Sequence, residues 1–365
     1  MTSKYQYLFN ILKNYGEEFG PSGFEKPVLD MFSKNVKPYV DEFISDNLGS
    51  LIAVKKGKLD SKYRVLLDAH ADEIGFIINE ITTHGLIKFG NLGGWWVHVL
   101  IGKKVKIYSR KLNKYIIGII GAPPIHLLSV EQRTKLMDRD KIFIDIGASS
   151  RQEVESFGIN IGDPIVKHDT SLLLSNGVYA CTKSVDNRVG ITILDQVLKH
   201  FANKRPNFHL YGAAVVQEEV GIRGAMTTAN LVKPLIAVVI DTTVTDDTFK
   251  PLSDNDTKLN KGVAISIMDG TCICTPTLVD KFIQICQDHK IPYNLDPLTS
   301  GGTDAGSIHK SGTGVLTITI SIPSRYLHTH NEVCSLADVE AAIKLITIFL
   351  EQLDEKMYHQ LAKVW

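Results

Sequence analysis

FHLYGAAVVQEEVGIRGA, residues 208–225, runs as an apolar strand, delivers two adjacent carboxylates, Glu218 and Glu219, and then turns helical through GIRGAMTTANL. A strand followed directly by an amphipathic helix is part of a βαβ unit, and the surrounding chain repeats the pattern. Strand-like RVLLDAH (64–70), LIAVVID (235–241) and TGVLTITIS (313–321) alternate with helical spacing over 186–202, 275–289 and 335–355. The alternation predicts an α/β fold, a sheet flanked by helices on both faces. Between residues 74 and 166 the texture changes to short β runs such as IGFIINEI, KKVKIYS, YIIGIIG and KIFIDIG, separated by turn residues. The expected organisation is a discontinuous α/β domain, residues 1–73 and 167–365, interrupted by a small β-rich domain, residues 74–166.

Polar residues collect where the apolar strands end. RVLLDAH ends in His70, with Asp72 two residues on; the opening strand ends at Glu218 and Glu219; LIAVVID ends in Asp241; His328 follows the strand near 321; Asp186 stands just before its helix. In open α/β sheets ligands bind beyond the carboxyl ends of the strands, so these side chains are expected in one crevice. Each has a plainer reading. Asp186, Glu218 and Glu219 stand where helix caps or first-turn charges occur, His70 lies between two aspartates that could hold it structurally, and His328 competes with His330. Their coincidence at one sheet edge favours a site. Histidines and carboxylates without cysteine form a ligand set suited to Zn²⁺, Co²⁺ or Mn²⁺. Two divalent cations would neutralise the crowded carboxylates and would need one of them as a bridge. A carboxylate outside the ligand set could then move protons, and Asp72 could orient the His70 imidazole.

Composition narrows the class. Forty Lys and Arg balance forty Asp and Glu, so the broad positive field that nucleic acid or an anionic membrane would require is missing. The N-terminal MTSKYQYLFNILKNYGEEFG lacks an uninterrupted apolar core, and YIIGIIGAPPIHLL is too short and too broken by proline to span a bilayer. Five scattered cysteines without a CxxC pair read as reduced thiols of a cytoplasmic protein; Cys272 and Cys274 read as alternate residues of a strand rather than zinc ligands. GNLGGWW and SGGTDAG lack phosphate-loop spacing, and there is no GxSxG elbow. SGGTDAGSIH is expected to present backbone amides and Asp304 near the crevice. His84, His98, His126, His168, His200, His209, His289 and His309 have no matching carboxylate pattern and are read as structural or solvated.

DAHADEIGF (68–76), VDNRVG (185–190), VQEEVGIRGA (216–225), VVID (238–241), GGTDAGSIH (301–309) and SIPSRYLHTHNEV (321–333) together resemble the M42 metallo-aminopeptidases, a family that includes glutamyl aminopeptidases and the tetrahedral TET peptidases. The segments occur in the family's order across nearly the whole chain. The resemblance implies that His70 and Asp241 hold one metal, Glu219 and His328 a second, and that Asp186 bridges them. It further implies Glu218 as general base, Asp72 as the residue that fixes the His70 tautomer, and the β-rich insert as a dimerisation domain. The implied activity is release of N-terminal residues from peptides with two divalent ions per subunit, Zn²⁺ or Co²⁺ first and Mn²⁺ third, in a homo-oligomer from dimer to dodecamer. Three positions depart from the family's usual wording: Asn187 where a second Asp is common, Ala71 for Met, and His330 near a usual Pro. None removes a ligand. Two other readings stand beside this one. A cellulase-like glycoside hydrolase would use the Glu pair, but adjacent glutamates do not readily flank a glycosidic bond and the histidines would be idle. A silent peptide-binding assembly would be expected to have lost part of the ligand set.

Overall fold

The computed structural model describes residues 4–245, 247–248 and 257–363. Its larger part is a mixed sheet of eleven strands. At the centre, His209–Val215, Arg64–His70, Ile236–Val244 and Leu316–Arg325 lie side by side and parallel, with Val215 opposite His70 and Asp241 opposite Ser321. Antiparallel strands extend the sheet on both sides, through Leu51–Lys55 and Glu42–Ser45 at one edge and through Glu332–Ser335 and Tyr179–Thr182 at the other.

Alternation along each central strand feeds two separate cores, as a pleated sheet with both faces covered requires. Val65, Leu67 and Ala69, with Ile236, Val238 and Ile240, pack in the large core beneath Gln6–Glu17, Lys26–Val36, Val185–His200, Pro276–Asp288 and Leu336–Gln352. Leu66, Ala237 and Val239 face the other way, against the helices Arg223–Val232 and Ala305–Ile308. His70 and Asp241 share that second face by parity, and they emerge past its apolar layer at the carboxyl end.

The β-rich window closes into a six-stranded barrel, from Gly75–Ile81 to Pro164–Lys167. Its interior is filled by Phe76, Ile78, Val105, Ile107, Ile120, Ile144 and Ile165. Among the described residues no helix is long and apolar enough to cross a membrane. All five cysteines are buried free thiols.

Two expectations about strand ends are corrected. Asp241 does not terminate its strand, which runs on to Val244 because the pairing with Leu316–Arg325 continues through Ser324. Glu218 and Glu219 are not helix-capping residues either. The helix begins only at Arg223, and the pair lies in the turn before it, which opens with Gln217 at φ +60°.

The chain leaves and re-enters the large domain through buried charge. Glu73, just before the first barrel strand, pairs with Lys183 and lies 3.3 Å from Arg188 Nη2. Arg188 also donates to the carbonyls of Tyr15 (2.7 Å), Glu18 (3.2 Å) and Gly20 (3.1 Å), which ties the N-terminal segment to this junction. Arg188→Ala would leave three carbonyls and the Glu73 charge short of a buried donor, and should lower unfolding free energy by about 3–5 kcal/mol in a denaturant titration.

Candidate metal centre

The candidate residues reach one place from five chain segments. His70 ends its strand, Asp241 lies on the neighbouring parallel strand, Asp186 opens the helix Val185–His200, Glu218 and Glu219 occupy the turn after residue 215, and His328 sits in the loop after Arg325. His328 and Tyr326 both adopt left-handed backbone, at φ +59° and +60°. Asp186 has non-helical dihedrals and is joined to Asn187 by a cis peptide bond. Asn187 turns inward, donating to Ile240 O at 2.8 Å and accepting from Gly190 N–H at 3.0 Å. Gly190 permits that approach, since a Cβ there would lie 2.9 Å from Ile240 O and 2.4 Å from Asn187 Oδ1.

Asp186 divides its two oxygens. Oδ1 lies 3.2 Å from His70 Nε2, which is also 3.7 Å from Asp241 Oδ1, while Oδ2 lies 3.7 Å from His328 Nε2. His328 Nε2 is in turn 3.4 Å from Glu219 Oε2. Two groups result, His70 with Asp186 and Asp241, and Asp186 with Glu219 and His328, each with ligand atoms within 4.8 Å of one another. Asp186 belongs to both. Glu218 stands outside either group, with Oε2 4.0 Å from His70 Nε2.

Asp72 organises this arrangement from beneath. Its carboxylate accepts the Glu218 N–H (3.0 Å), the Glu219 N–H (3.1 Å) and the Ser22 hydroxyl (2.6 Å). His70 Nδ1 meets its main-chain oxygen at 3.2 Å and its Oδ1 at 3.4 Å. Burial pushes the Asp72 pKa up, but the bonds to His70, Ser22 and Glu218 N–H outweigh it and hold the carboxyl below its usual range. Glu218 and Glu219 go the other way. Burial, then the neighbouring carboxylates, raise both well above the ordinary glutamate value. Burial also raises Asp241.

Several contributors lie outside the motifs. Glu25 accepts the N–H groups of Gly23 (2.7 Å) and Gln217 (3.1 Å) and so supports the turn that carries the glutamates. The GNLGGWW segment of the barrel presses on the site, because a Cβ at Gly94 would stand 3.1 Å from His328 Nδ1 and one at Gly93 3.4 Å from Glu219 Cβ. Adjacent glycines were the available signal, legible only once the barrel was known to sit here. Asp304 and Asp68 are buried against each other, and burial with the neighbouring Asp68 carboxyl raises the Asp304 pKa well above its usual value. His330 does not join the ligand groups. Its ring faces Trp95 at 5.7 Å, and burial with nearby Lys167 pushes its pKa down to about 3, so it is neutral.

An amide at position 72 has one acceptor oxygen where the carboxylate serves two backbone N–H groups and a hydroxyl. Asp72→Asn should therefore lower kcat/KM by about 10- to 100-fold while leaving the far-UV circular dichroism unchanged.

The chain resembles known proteins over most of its length. A structure of a TET aminopeptidase from the marine sediment archaeon Thaumarchaeota archaeon SCGC AB-539-E09 is 36% identical, with a TM-score of 0.92 over 97% of this chain and 99% of that one. The TET1 peptidase of Pyrococcus horikoshii, described as assembling into a tetrahedron or a large octahedral shell, is 30% identical with a TM-score of 0.84 over 95% of this chain and all of the other. Glutamyl aminopeptidase of Lactococcus lactis is 30% identical over 91% of this chain and 92% of its own length. The sequence model of the M42 glutamyl aminopeptidases matches residues 49–345, and the chain belongs to that family of peptide hydrolases.

Proposed function

We propose that this protein is an aminopeptidase that removes N-terminal residues from peptides at a centre of two divalent cations. The observation that carries the reading is the division of Asp186 between two ligand groups, Oδ1 toward His70 and Oδ2 toward His328. The donor set suits such ions. It is nitrogen and oxygen only, it concentrates buried carboxylates, and Glu219 Oε1 has no hydrogen-bond partner. His70 and Asp241 would hold one cation, Glu219 and His328 the other, and Asp186 both, with Zn²⁺ or Co²⁺ favoured over Mn²⁺. When bound, the cations would polarise the scissile carbonyl and acidify the attacking water.

The remaining roles fall to the chain. Glu218 is only slightly exposed and is held by its own N–H on Asp72, yet is not a member of either ligand group. It takes the proton from the attacking water at a carboxylate oxygen and returns it to the leaving amine nitrogen. Asp72 holds His70 and the Glu218–Glu219 backbone in register, and the acidic surroundings suit the cationic N-terminus of a peptide. No geometric observation favours glycoside hydrolysis, since Glu218 and Glu219 are neighbours on one turn.

Activity should be measured with aminoacyl-p-nitroanilides on metal-stripped protein reconstituted with Zn²⁺, Co²⁺ or Mn²⁺. Glu218→Gln should reduce kcat by about 10²–10⁴-fold and retain the metal content of the parent protein by elemental analysis. Glu219→Ala should lose about one of the two ions on dialysis. Activity without metal, or undiminished in Glu218→Gln, would sink the mechanism.

The barrel, residues 74–166, would serve as the dimerisation unit. Strand Lys114–Gly121 turns Tyr115, Ile117 and Ile119 outward, 46%, 45% and 51% exposed, and Leu127 and Val130 beyond it are 78% and 77% exposed. An apolar face of this kind marks an interface, and a second copy of the chain is the proposed occupant. Ile117→Glu combined with Ile119→Glu should reduce the mass measured by light scattering, with an unchanged mass counting against it.

A further inference from the structure

Lys167 and Glu332 form an ion pair with both side chains fully buried, Nζ to Oε1 at 3.2 Å. The other Glu332 oxygen, Oε2, accepts the backbone N–H of Asp186 at 2.9 Å. Lys167 is the last residue of the last barrel strand, and its ammonium lies 5.7 Å from the Trp95 ring, on the loop that also presses against His328. Glu332 opens the strand that pairs with Tyr179–Thr182, immediately before the Asp186 segment. We infer that Lys167 and Glu332 are positioning residues, which anchor the main chain of Asp186 to the seat of the barrel and so set the carboxylate shared by the two ligand groups. This rests on the reading of Asp186 as a metal ligand.

Charge explains why a pair is needed. Glu332 alone would add another carboxylate beside Asp186, and burial raises the cost of every such charge. Lys167 cancels it, so that one oxygen is free to hold the Asp186 N–H. The two donors, Lys167 Nζ and the Asp186 N–H, require two acceptor oxygens, which a carboxylate supplies and an amide does not. Removing the cation and replacing the carboxylate by an amide together restore charge neutrality and keep one acceptor oxygen for the Asp186 N–H.

The test compares Lys167→Met, Glu332→Gln, the double variant and Asp186→Asn, each checked for folding by its thermal melt. The readouts are Zn²⁺ affinity by competition with a chromogenic chelator and the visible spectrum of the Co²⁺-substituted protein. Each single variant at 167 or 332 should bind the weaker Zn²⁺ about 10- to 100-fold less tightly and shift the Co²⁺ bands. The double variant should recover most of that loss, a non-additivity expected of partners in one network. Should Lys167→Met fail to fold, the nearly isosteric Glu332→Gln decides the matter alone. If Asp186→Asn keeps both ions at the parent affinity, the reading of the centre fails and takes this inference with it. If Asp186→Asn loses an ion while folded Glu332→Gln binds Zn²⁺ like the parent, the positioning role alone is overturned. A double variant no better than either single would overturn the charge-compensation argument.

Discussion

Mutual repulsion among carboxylates is the constraint around which this structure is arranged. Asp68, Asp72, Asp186, Glu218, Glu219, Asp241 and Asp304 are gathered at the carboxyl ends of the parallel strands, all at least largely buried. In water these groups would each carry a charge; away from it each must find a donor, a proton or a cation. The fold allots these unequally. Asp72 receives hydrogen bonds and a histidine and stays ionised, whereas Glu218 and Glu219 receive little and are driven toward the protonated form. The two neighbouring glutamates share this electrostatic pressure and are set apart by position, Glu219 within a ligand group and Glu218 outside both. Cations are the compensation that the donor geometry best accommodates.

The same constraint reaches into the scaffold. Both passages between the large domain and the barrel end in buried ion pairs, Glu73 with Lys183 and Arg188 at the first and Lys167 with Glu332 at the second. The segment 183–188 takes part in each, directly at the first and through the Asp186 N–H at the second. Buried pairs are poor sources of net stability but are unforgiving of misplacement, since a shift leaves a charge uncompensated. The barrel is therefore seated on the large domain by groups adjoining the candidate centre, and its glycine loop completes the wall beside His328.

Much of this was legible in the sequence because the relevant signals are local. Continuous apolar runs marked the central strands, amphipathic spacing marked the helices near 186–202, 276–288 and 336–352, and polar residues after apolar strands picked out His70, Asp186, Glu218, Glu219, Asp241 and His328 as companions. The less legible parts depend on long-range pairing. The strand through Asp241 extends to Val244 only because a partner strand accompanies it, and the turn that frees Glu218 from the following helix is fixed by Glu25 and Asp72, far away in the chain. Lys167, Lys183 and Arg188 are ordinary cations in a string of letters; their burial against Glu332 and Glu73 is a property of the assembled domains.

The closure of the barrel bears on how copies of the chain can meet. An open sheet exposes unpaired N–H and C=O groups along its border, and such a border accepts almost any strand, which makes it adhesive and indiscriminate. Six strands joined in a ring leave no such border. Contact through this module, if the proposed interface holds, would be made by side chains alone, on outward residues such as Ile117 and Ile119. Substitution at those positions would then change the strength of such a contact without touching a backbone hydrogen bond or the candidate metal centre.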